Sequence, residues 1–249
     1  MAGREEMSTS FGRMAQAYEV GRPEYPAESV AFLLEPVASH ERVVRVADVG
    51  AGTGKLTRAL VETGAEVVAI DPDPVMLEAL RAAVPAVPTF LGTGERLPLP
   101  DAGLDAVVFG QSWHWVDPPA ASREVARALR SGGVLGLIWN VRDESVEWVA
   151  RMTGIMHGSS AEEMLAEGAP PVAEPFGDLE RHDISWERRM TRADLFAMVH
   201  SRSYYITAED DERTRIDAQL GDLFDEIGAV GDTAIAMPYA TRAFRGIRP

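Results

Sequence analysis

Cysteine is absent from the 249-residue sequence, and lysine occurs only once, as Lys55. The lack of thiols excludes disulfide bonds, a thiolate nucleophile and cysteine-ligated zinc. No apolar run reaches the roughly 18 residues that a membrane-spanning helix needs. The polar start MAGREEMSTS also lacks the apolar segment of a secretory signal. These absences predict a cytoplasmic protein that does not enter a membrane.

Positive charge is scarce as well. The 24 lysines and arginines are outnumbered by 39 acidic residues, which gives a formal net charge of −15. A nucleic-acid partner or an anionic membrane surface would require a basic face, so neither partner is expected. The five histidines show no paired spacing, and the sequence therefore predicts no metal site.

Strand and helix patterns alternate between residues 41 and 141. The short β-branched runs VVRVADVG, EVVAID, LDAVVFGQ and VLGLIWN are typical of buried strands. Amphipathic segments lie between them, which predicts an α/β fold with a parallel sheet and right-handed crossovers. Helical patterns also cover residues 11–18, 27–37, 118–133 and 191–205.

We expect one domain over residues 1–249. Within it, residues 1–40 form N-terminal cap helices and residues 41–141 the ligand-binding core. Residues 142–230 form a mixed, mainly helical region in which HDISWERRMT alternates like a strand, and residues 231–249 hold the last strand.

Three glycines, Gly50, Gly52 and Gly54, follow the first predicted strand in the segment VRVADVGAGTGKLT. Glycine lets the backbone approach a ligand, and the helix that follows presents N–H groups to it. A P-loop would need glycine at Val49 and Ser or Thr at Leu56, so a triphosphate is excluded. A dinucleotide turn would need its third glycine one residue later, which weakens that ligand without excluding it.

The segment DVGAGTG fits the pattern acid-x-G-x-G-x-G at every position and resembles motif I of the class I S-adenosylmethionine-dependent methyltransferases. YEVGRPEYP precedes it, and QSWHWVDP, WNVRD, SRSYY and PYATRAFR follow. Together these segments resemble the methyltransferase type 11 group, on the branch of trans-aconitate methyltransferase-like proteins. The resemblance implies a Rossmann-like, mostly parallel seven-stranded sheet. Helices would cover both faces, with a helical lid insertion, and an antiparallel last strand would span residues 233–244.

The same resemblance implies S-adenosylmethionine as the cofactor. Asp71 ends the second strand, where the family's acid binds the ribose hydroxyls, although a nicotinamide enzyme would use an acid there too. Thr93 replaces the acid that relatives commonly place beside the adenine, and Gly94 offers a backbone contact. The implied cofactor-binding residues are Tyr18, Arg22, Asp48, Gly50, Ala51, Gly52, Gly54, Asp71, Pro72, Met76, Thr93, Gly94, Glu95 and Gln111.

QSWHW follows the fourth predicted strand, at the sheet edge where open α/β folds bind ligands. His114 is the candidate general base, because imidazole titrates near neutral pH. Trp113 and Trp115 are candidates for substrate binding or a cation–π contact. Arg142 and Arg202 are candidates for a carboxylate clamp. We therefore expect methyl transfer to an oxygen of a small-molecule substrate, either a carboxylic acid or a hydroxylated metabolite.

Two alternatives remain open at this point. A nicotinamide-dependent oxidoreductase is disfavoured by the early third glycine and by the lack of a Tyr-x-x-x-Lys pair, since Lys55 is the only lysine. A non-catalytic protein that binds S-adenosylmethionine would keep the same glycine turn and acid. The oligomeric state is open, and a homodimer is compatible with the sequence.

Overall fold

A computed structural model of the chain describes residues 21–156 and 160–249. Seven strands form one sheet in the spatial order β3-β2-β1-β4-β5-β7-β6. The strands are β1 (Arg45–Val49), β2 (Glu66–Asp71), β3 (Thr89–Leu91), β4 (Leu104–Gly110), β5 (Leu129–Arg142), β6 (Glu180–Met190) and β7 (Ile235–Ile247). β7 pairs antiparallel with both β5 and β6, and the other pairs are parallel. The predicted fold class, with its antiparallel last strand, is confirmed.

Helices cover the sheet on both faces. Those in the described residues are α1 (Ala27–Leu34), α2 (Lys55–Glu62), α3 (Pro74–Ala83), α4 (Pro118–Ala128), α5 (Glu147–Met156), α6 (Ser160–Ala166), α7 (Arg192–His200), α8 (Ser203–Thr207) and α9 (Asp210–Glu226). Short 3₁₀ turns lie at Glu35–Val37 and Trp113–Trp115. None of these helices is long and apolar enough to cross a membrane.

Neighbouring residues of each central strand enter opposite cores. Val46 of β1 packs in a core with α1 and α2, whereas Ala47 packs in a second core with α4 and α6. This alternation follows from the two-residue period of a strand and explains why both faces are apolar. A third core joins α5, α7 and α9 to β6 and β7, so the second half of the chain is anchored to the sheet edge.

Local signals set where the helices begin. Asp73 caps α3, its Oδ1 accepting a bond of 2.8 Å from the Val75 N–H, and Pro74 opens the helix. Thr191 begins α7 with a reciprocal capping box to Asp194. Such caps satisfy N–H groups that have no partner within a helix.

Three helix predictions need revision or fall outside the described residues, and one strand was missed. The helix predicted over residues 118–133 ends at Ala128, and the remaining residues join β5, where the register shifts opposite Leu104. The helix predicted over residues 191–205 breaks into α7 and α8, because Arg202 between them adopts an extended conformation. β3 was not predicted as a strand. The helix predicted over residues 11–18 lies outside the described residues.

The carboxyl ends of the parallel strands share one edge of the sheet. From β1 the chain runs outward to β2 and β3 on one side, and then crosses to β4 and β5 on the other. The gap between β1 and β4 is therefore the topological switch point, where open α/β sheets bind their ligands. Residues 50–54, 111–115 and 140–142 all lie at or just beyond this edge.

Candidate active site

The glycine turn between β1 and α2 is the centre of the site. Gly50 and Gly52 have φ angles of 68° and 56°, in the left-handed region that favours glycine. A Cβ on Gly50 would lie 2.5 Å from the Cβ of Ser112, so the loop after β4 packs directly on the turn. A Cβ on Gly52 would meet no atom within 4 Å. One glycine thus allows close packing, and the other leaves an open face for a ligand.

Asp71 joins the turn to the end of β2. Its Oδ2 accepts a bond of 2.9 Å from the Gly52 N–H, and its Oδ1 accepts one of 2.8 Å from the Asp73 N–H. Burial raises the pKa of the Asp71 carboxyl to about 6, although both backbone bonds act to lower it. The predicted acid therefore lies beside the predicted turn, and its contact with a ribose stays a prediction.

Asp48 lies beneath the turn and is fully buried. Its Oδ2 accepts a bond of 2.6 Å from the Thr57 hydroxyl, whereas its Oδ1 has no hydrogen-bond partner among the described residues. Burial raises the pKa of the Asp48 carboxyl to about 7, and the charge of Asp71 raises it further. A buried acceptor without a partner is costly and marks a place where a ligand can donate.

The segment before α1 closes over this cavity. Glu24 accepts bonds from Lys55 Nζ at 2.9 Å and from Arg58 Nη2 at 3.1 Å, and its carbonyl accepts one from Asn140 Nδ2 at 3.1 Å. Tyr18 lies outside the described residues. The cavity is lined by Arg22, Pro23, Tyr25, Asp48, Gly50, Ala51, Gly52, Thr53, Lys55, Leu56, Gly110 and Gln111.

Gln111 has a φ angle of 58°, in the left-handed region that non-glycine residues rarely adopt. Its N–H donates to the Ile138 carbonyl at 2.9 Å, and its Nε2 donates to the Asn140 carbonyl at 3.0 Å. These bonds to β5 hold the strained backbone in place where it lines the cavity. Strained residues of this kind concentrate at functional sites, which supports the prediction that Gln111 meets the ligand.

The remaining predicted cofactor residues are spread beyond the turn. Gly54 has a φ angle of 92° and caps α2. Pro72 is exposed, and Met76 is buried in α3. Thr93 is exposed and Gly94 is buried against Phe109 and Val116.

Glu95 has a structural contact. Its Oε1 accepts a bond of 2.8 Å from the Asp117 N–H, at the start of α4. This bond explains the residue without a ligand, and we leave Glu95 out of the proposed cofactor site.

The three aromatic residues of the 3₁₀ turn after β4 differ in their exposure. Trp113 is 1% exposed, packs edge-on against Phe109 and donates from Nε1 to the Pro171 carbonyl at 2.8 Å. Its ring and its Nε1 already have protein partners, so we assign Trp113 a packing role in place of the predicted substrate contact. His114 and Trp115 are half-buried neighbours with ring centroids 4.8 Å apart. They remain candidates for the substrate site.

A buried arginine cluster lies where β5 ends. The Arg142 side chain is 1% exposed, and its Nη2 contacts Glu162 Oε1 at 2.8 Å. Burial lowers the pKa of Arg142, and the nearby charge of Arg202 lowers it further. The Nε and Nη1 atoms of Arg142, the Nε of Arg202 and the hydroxyl of Tyr204 have no hydrogen-bond partner among the described residues. The two arginines predicted as a clamp are therefore brought together.

Two members of this region escaped sequence reasoning. Tyr204 lies inside the quoted segment SRSYY, but a tyrosine there carries no signal of burial. Glu162 is one of two adjacent glutamates on a short helix, and nothing local distinguishes it from Glu163.

Comparisons with known proteins agree with this geometry. The model of a methyltransferase domain family matches residues 47–137. An uncharacterised methyltransferase of Mycobacterium tuberculosis is 46% identical over 243 residues, which cover 97% of both chains. The chain belongs to the class I S-adenosylmethionine-dependent methyltransferases. A Schizosaccharomyces pombe relative of this methyltransferase, also uncharacterised, is 31% identical over 235 residues and 91% of each chain.

Solved structures show the same fold. A protein from Anaeromyxobacter dehalogenans described as a type II methyltransferase superposes with a TM-score of 0.68 at 23% identity. The match covers 91% of this methyltransferase and 97% of that chain. The family assignment removes the nicotinamide-dependent alternative, and the trans-aconitate-like branch stays a prediction.

The residues of this methyltransferase fit its cofactor. The open face above Gly52 leaves room for a ligand against the backbone. The buried Asp48 Oδ1 has no protein donor within the described residues, and Asp71 is fixed beside the turn. These groups, with Arg22 and Gln111, would hold S-adenosylmethionine.

Proposed function

We propose that this methyltransferase transfers a methyl group to an oxygen of a small carboxylic acid, whose carboxylate is read by Arg142 and Arg202. The observation that carries the proposal is a buried pair of guanidinium groups. Nε and Nη1 of Arg142 and Nε of Arg202 have no hydrogen-bond partner in the described part of the chain. Buried cations are costly unless they are paired, and a carboxylate is the partner that matches an arginine fork.

The cluster adjoins the cofactor cavity. Burial raises the pKa of Tyr204 to about 12, and Arg22, which lines that cavity, lies close enough for its charge to act in the opposite direction. A Cβ on Gly21 would also lie 2.7 Å from Ser201 Oγ, so the segment over the cavity packs on the break between α7 and α8. An acid held by Arg142 and Arg202 would therefore lie within reach of the donor, inside a lid formed by part of residues 142–230.

The acceptor must be separate from the anchoring carboxylate. When bound, S-adenosylmethionine supplies an electrophilic methyl group on a sulfonium. A carboxylate clamped by arginines is a poor nucleophile, because its lone pairs are engaged and its charge is neutralised. The acid then needs a second oxygen, either another carboxylate or a hydroxyl.

His114 has a role only for one kind of acceptor. A second carboxylate is already deprotonated and needs no base, and the enzyme then contributes alignment and exclusion of water. A hydroxyl needs a base, and His114, in the turn that follows β4 beside the switch point, is the candidate. A hydroxy-acid substrate would make turnover depend on His114, whereas a dicarboxylate would not.

The overall charge supports a small molecule over a nucleic-acid acceptor. A net charge of −15 disfavours binding to a phosphate backbone. The buried Arg142 and Arg202 are a local concentration of positive charge that suits a small anion.

The test is a transfer assay with tritium-labelled S-adenosylmethionine over dicarboxylic acids, tricarboxylic acids, hydroxy acids, phenols and amines. We expect turnover with a polyfunctional acid. The Arg142→Gln variant should raise the KM for that acid by at least about thirtyfold, because a buried charged partner is lost. The Kd for S-adenosylhomocysteine should not change.

Arg151→Gln is the matched control, since Arg151 pairs with Glu226 at the surface. It removes the same charge and should leave the KM unchanged. Turnover only of amines or phenols, with no effect of Arg142→Gln, would refute the acid assignment. Cofactor binding without methylation of any acceptor would favour the non-catalytic alternative.

A further inference from the structure

Glu162 is the carboxylate that already contacts the arginine cluster. It lies in the first turn of α6, and its side chain is 18% exposed. Its Oε1 is 2.8 Å from Arg142 Nη2, and the same Nη2 lies 3.3 Å from the Thr153 hydroxyl. The contact thus places an internal carboxylate where the proposed substrate carboxylate would bind.

The position of this contact on the guanidinium decides what Arg142 can offer. A guanidinium has two forked edges, one formed by Nε with Nη2 and the other by Nη1 with Nη2. Both forks therefore include the atom that Glu162 and Thr153 contact. Nη2 carries one N–H for each fork. Thr153 accepts a bond from this atom and Glu162 Oε1 lies 2.8 Å from it, so an incoming carboxylate can use a fork only by displacing one of these two partners.

We propose that Glu162 is an internal ligand of the substrate subsite, and that the carboxylate of the acid substrate displaces it from Arg142 Nη2. Displacement removes one contact that holds α6 beside β5, so binding of the acid and loosening of this helix are coupled. The inference rests on the proposed acid-binding function. It assigns Glu162 as a specificity residue, because a neutral ligand cannot compete with a carboxylate for the fork.

The charges favour exchange over simple addition. Arg142 and Arg202 carry two positive charges, and Glu162 supplies one negative charge to the region. A substrate carboxylate that replaces Glu162 restores the same local balance and gains a two-point bond. Glu162 is partly exposed, so water can solvate it after release at little cost.

The experiment measures binding of succinate and citrate to the enzyme loaded with S-adenosylhomocysteine, at constant ionic strength. Glu162→Gln keeps the shape of the side chain and removes the competing charge, so the Kd for the acid should fall roughly five- to tenfold. Glu163→Gln changes the same charge one residue away on the exposed side of α6 and should leave the Kd unchanged.

A second measurement separates exchange from a general charge effect. Succinate should increase amide hydrogen exchange in residues 160–166 of the wild-type enzyme and have no such effect in Glu162→Gln. Equal or weaker acid binding by Glu162→Gln, equal effects of both glutamate variants, or unchanged exchange in α6 would each overturn the proposal.

The Arg142→Gln variant tests the acid-binding function separately from the displacement of Glu162. If it loses succinate and citrate while Glu162→Gln behaves as wild type, the acid subsite stands and the displacement is wrong. If Arg142→Gln binds these acids as well as wild type does, or if no variant binds them, the acid-binding function itself fails and the displacement with it.

Discussion

Replacing Asp48 with asparagine should change how the stability of the enzyme depends on pH. The ordinary pKa of an aspartate is 3.8, and burial raises that of Asp48 to about 7 in the folded protein. Between these values the folded state holds a proton that the unfolded state has released. Raising the pH through this window therefore destabilises the folded protein, and above about pH 7 the cost is constant.

The size of the effect follows from the same values. Each pH unit within the window costs the folded state about 1.4 kcal/mol. Asparagine does not titrate, so the unfolding free energy of Asp48→Asn, relative to wild type, should rise by about 2.3 kcal/mol from pH 5 to pH 7, the last part of the window being flattened because Asp48 is half ionised at its pKa. A constant cost for the new amide, which has no acceptor prepared for it, does not alter this difference.

Urea denaturation of the ligand-free enzyme at several pH values measures this difference directly. Asp71 also titrates in the window and its charge acts on Asp48, so the difference reports the coupled pair of carboxyls. Asp105→Asn is the control, because its arginine partners and the Arg45 N–H lower the pKa of Asp105 to about 2. Its stabilisation is lost only below pH 4, so that variant should show a constant offset between pH 5 and 7. A constant offset for Asp48→Asn would refute the reasoning.

Two further predictions concern the cavity. Lys55 is the only lysine in the sequence, so an amine reagent should modify only Lys55 and the α-amino group. Because Lys55 lines the cavity, S-adenosylhomocysteine should slow the modification of Lys55 and leave that of the α-amino group unchanged. Equal rates of Lys55 modification with and without the ligand would contradict the assignment of the cavity as the cofactor site. At Gln111, substitution by glycine should change the unfolding free energy by less than about 1 kcal/mol and substitution by valine should lower it by about 2 kcal/mol. Equal unfolding free energies for the glycine and valine variants would contradict the backbone strain inferred at Gln111.

The elements predicted best are those whose signals lie in contiguous residues of the sequence. The strand, the glycine turn and the helix of residues 44–62 follow one another directly, and each has its own local signal. β3 carries no such signal, since it has three residues at the exposed edge of the sheet. The end of α4 was placed too late because Leu129 pairs with Leu104 of β4, and Gly132 and Gly133 form backbone bonds with Arg248, a tertiary effect that overrides helical periodicity.

The same distinction between local signals and tertiary packing applies to the residues of the candidate site. Asp71 and Gln111 could be found because a strand end has a defined place in the sheet. Trp113 and Trp115 look alike in sequence, and only the geometry of the short turn between them decides which is buried. The contact of Arg142 with Glu162 joins residues 20 positions apart through a helix whose packing no local pattern specifies.

Two buried aspartates at opposite ends of neighbouring strands show how structural charge differs from functional charge. Asp105, at the start of β4, is 2% exposed and accepts bonds from Arg42, Arg130 and the Arg45 N–H. Asp48, near the end of β1, is more deeply buried but has one donor, Thr57, within the described residues.

Both carboxylates cost free energy to bury, and only Asp105 recovers that cost from the protein itself. Their pKa shifts have opposite signs for this reason, being lowered at the saturated site and raised at the unsaturated one. Arg142 is the cationic counterpart of Asp48, because two of its guanidinium nitrogens have no hydrogen-bond partner among the described residues. Unsatisfied charge is thus found at the carboxyl edge of the sheet, where a ligand can supply the missing partners.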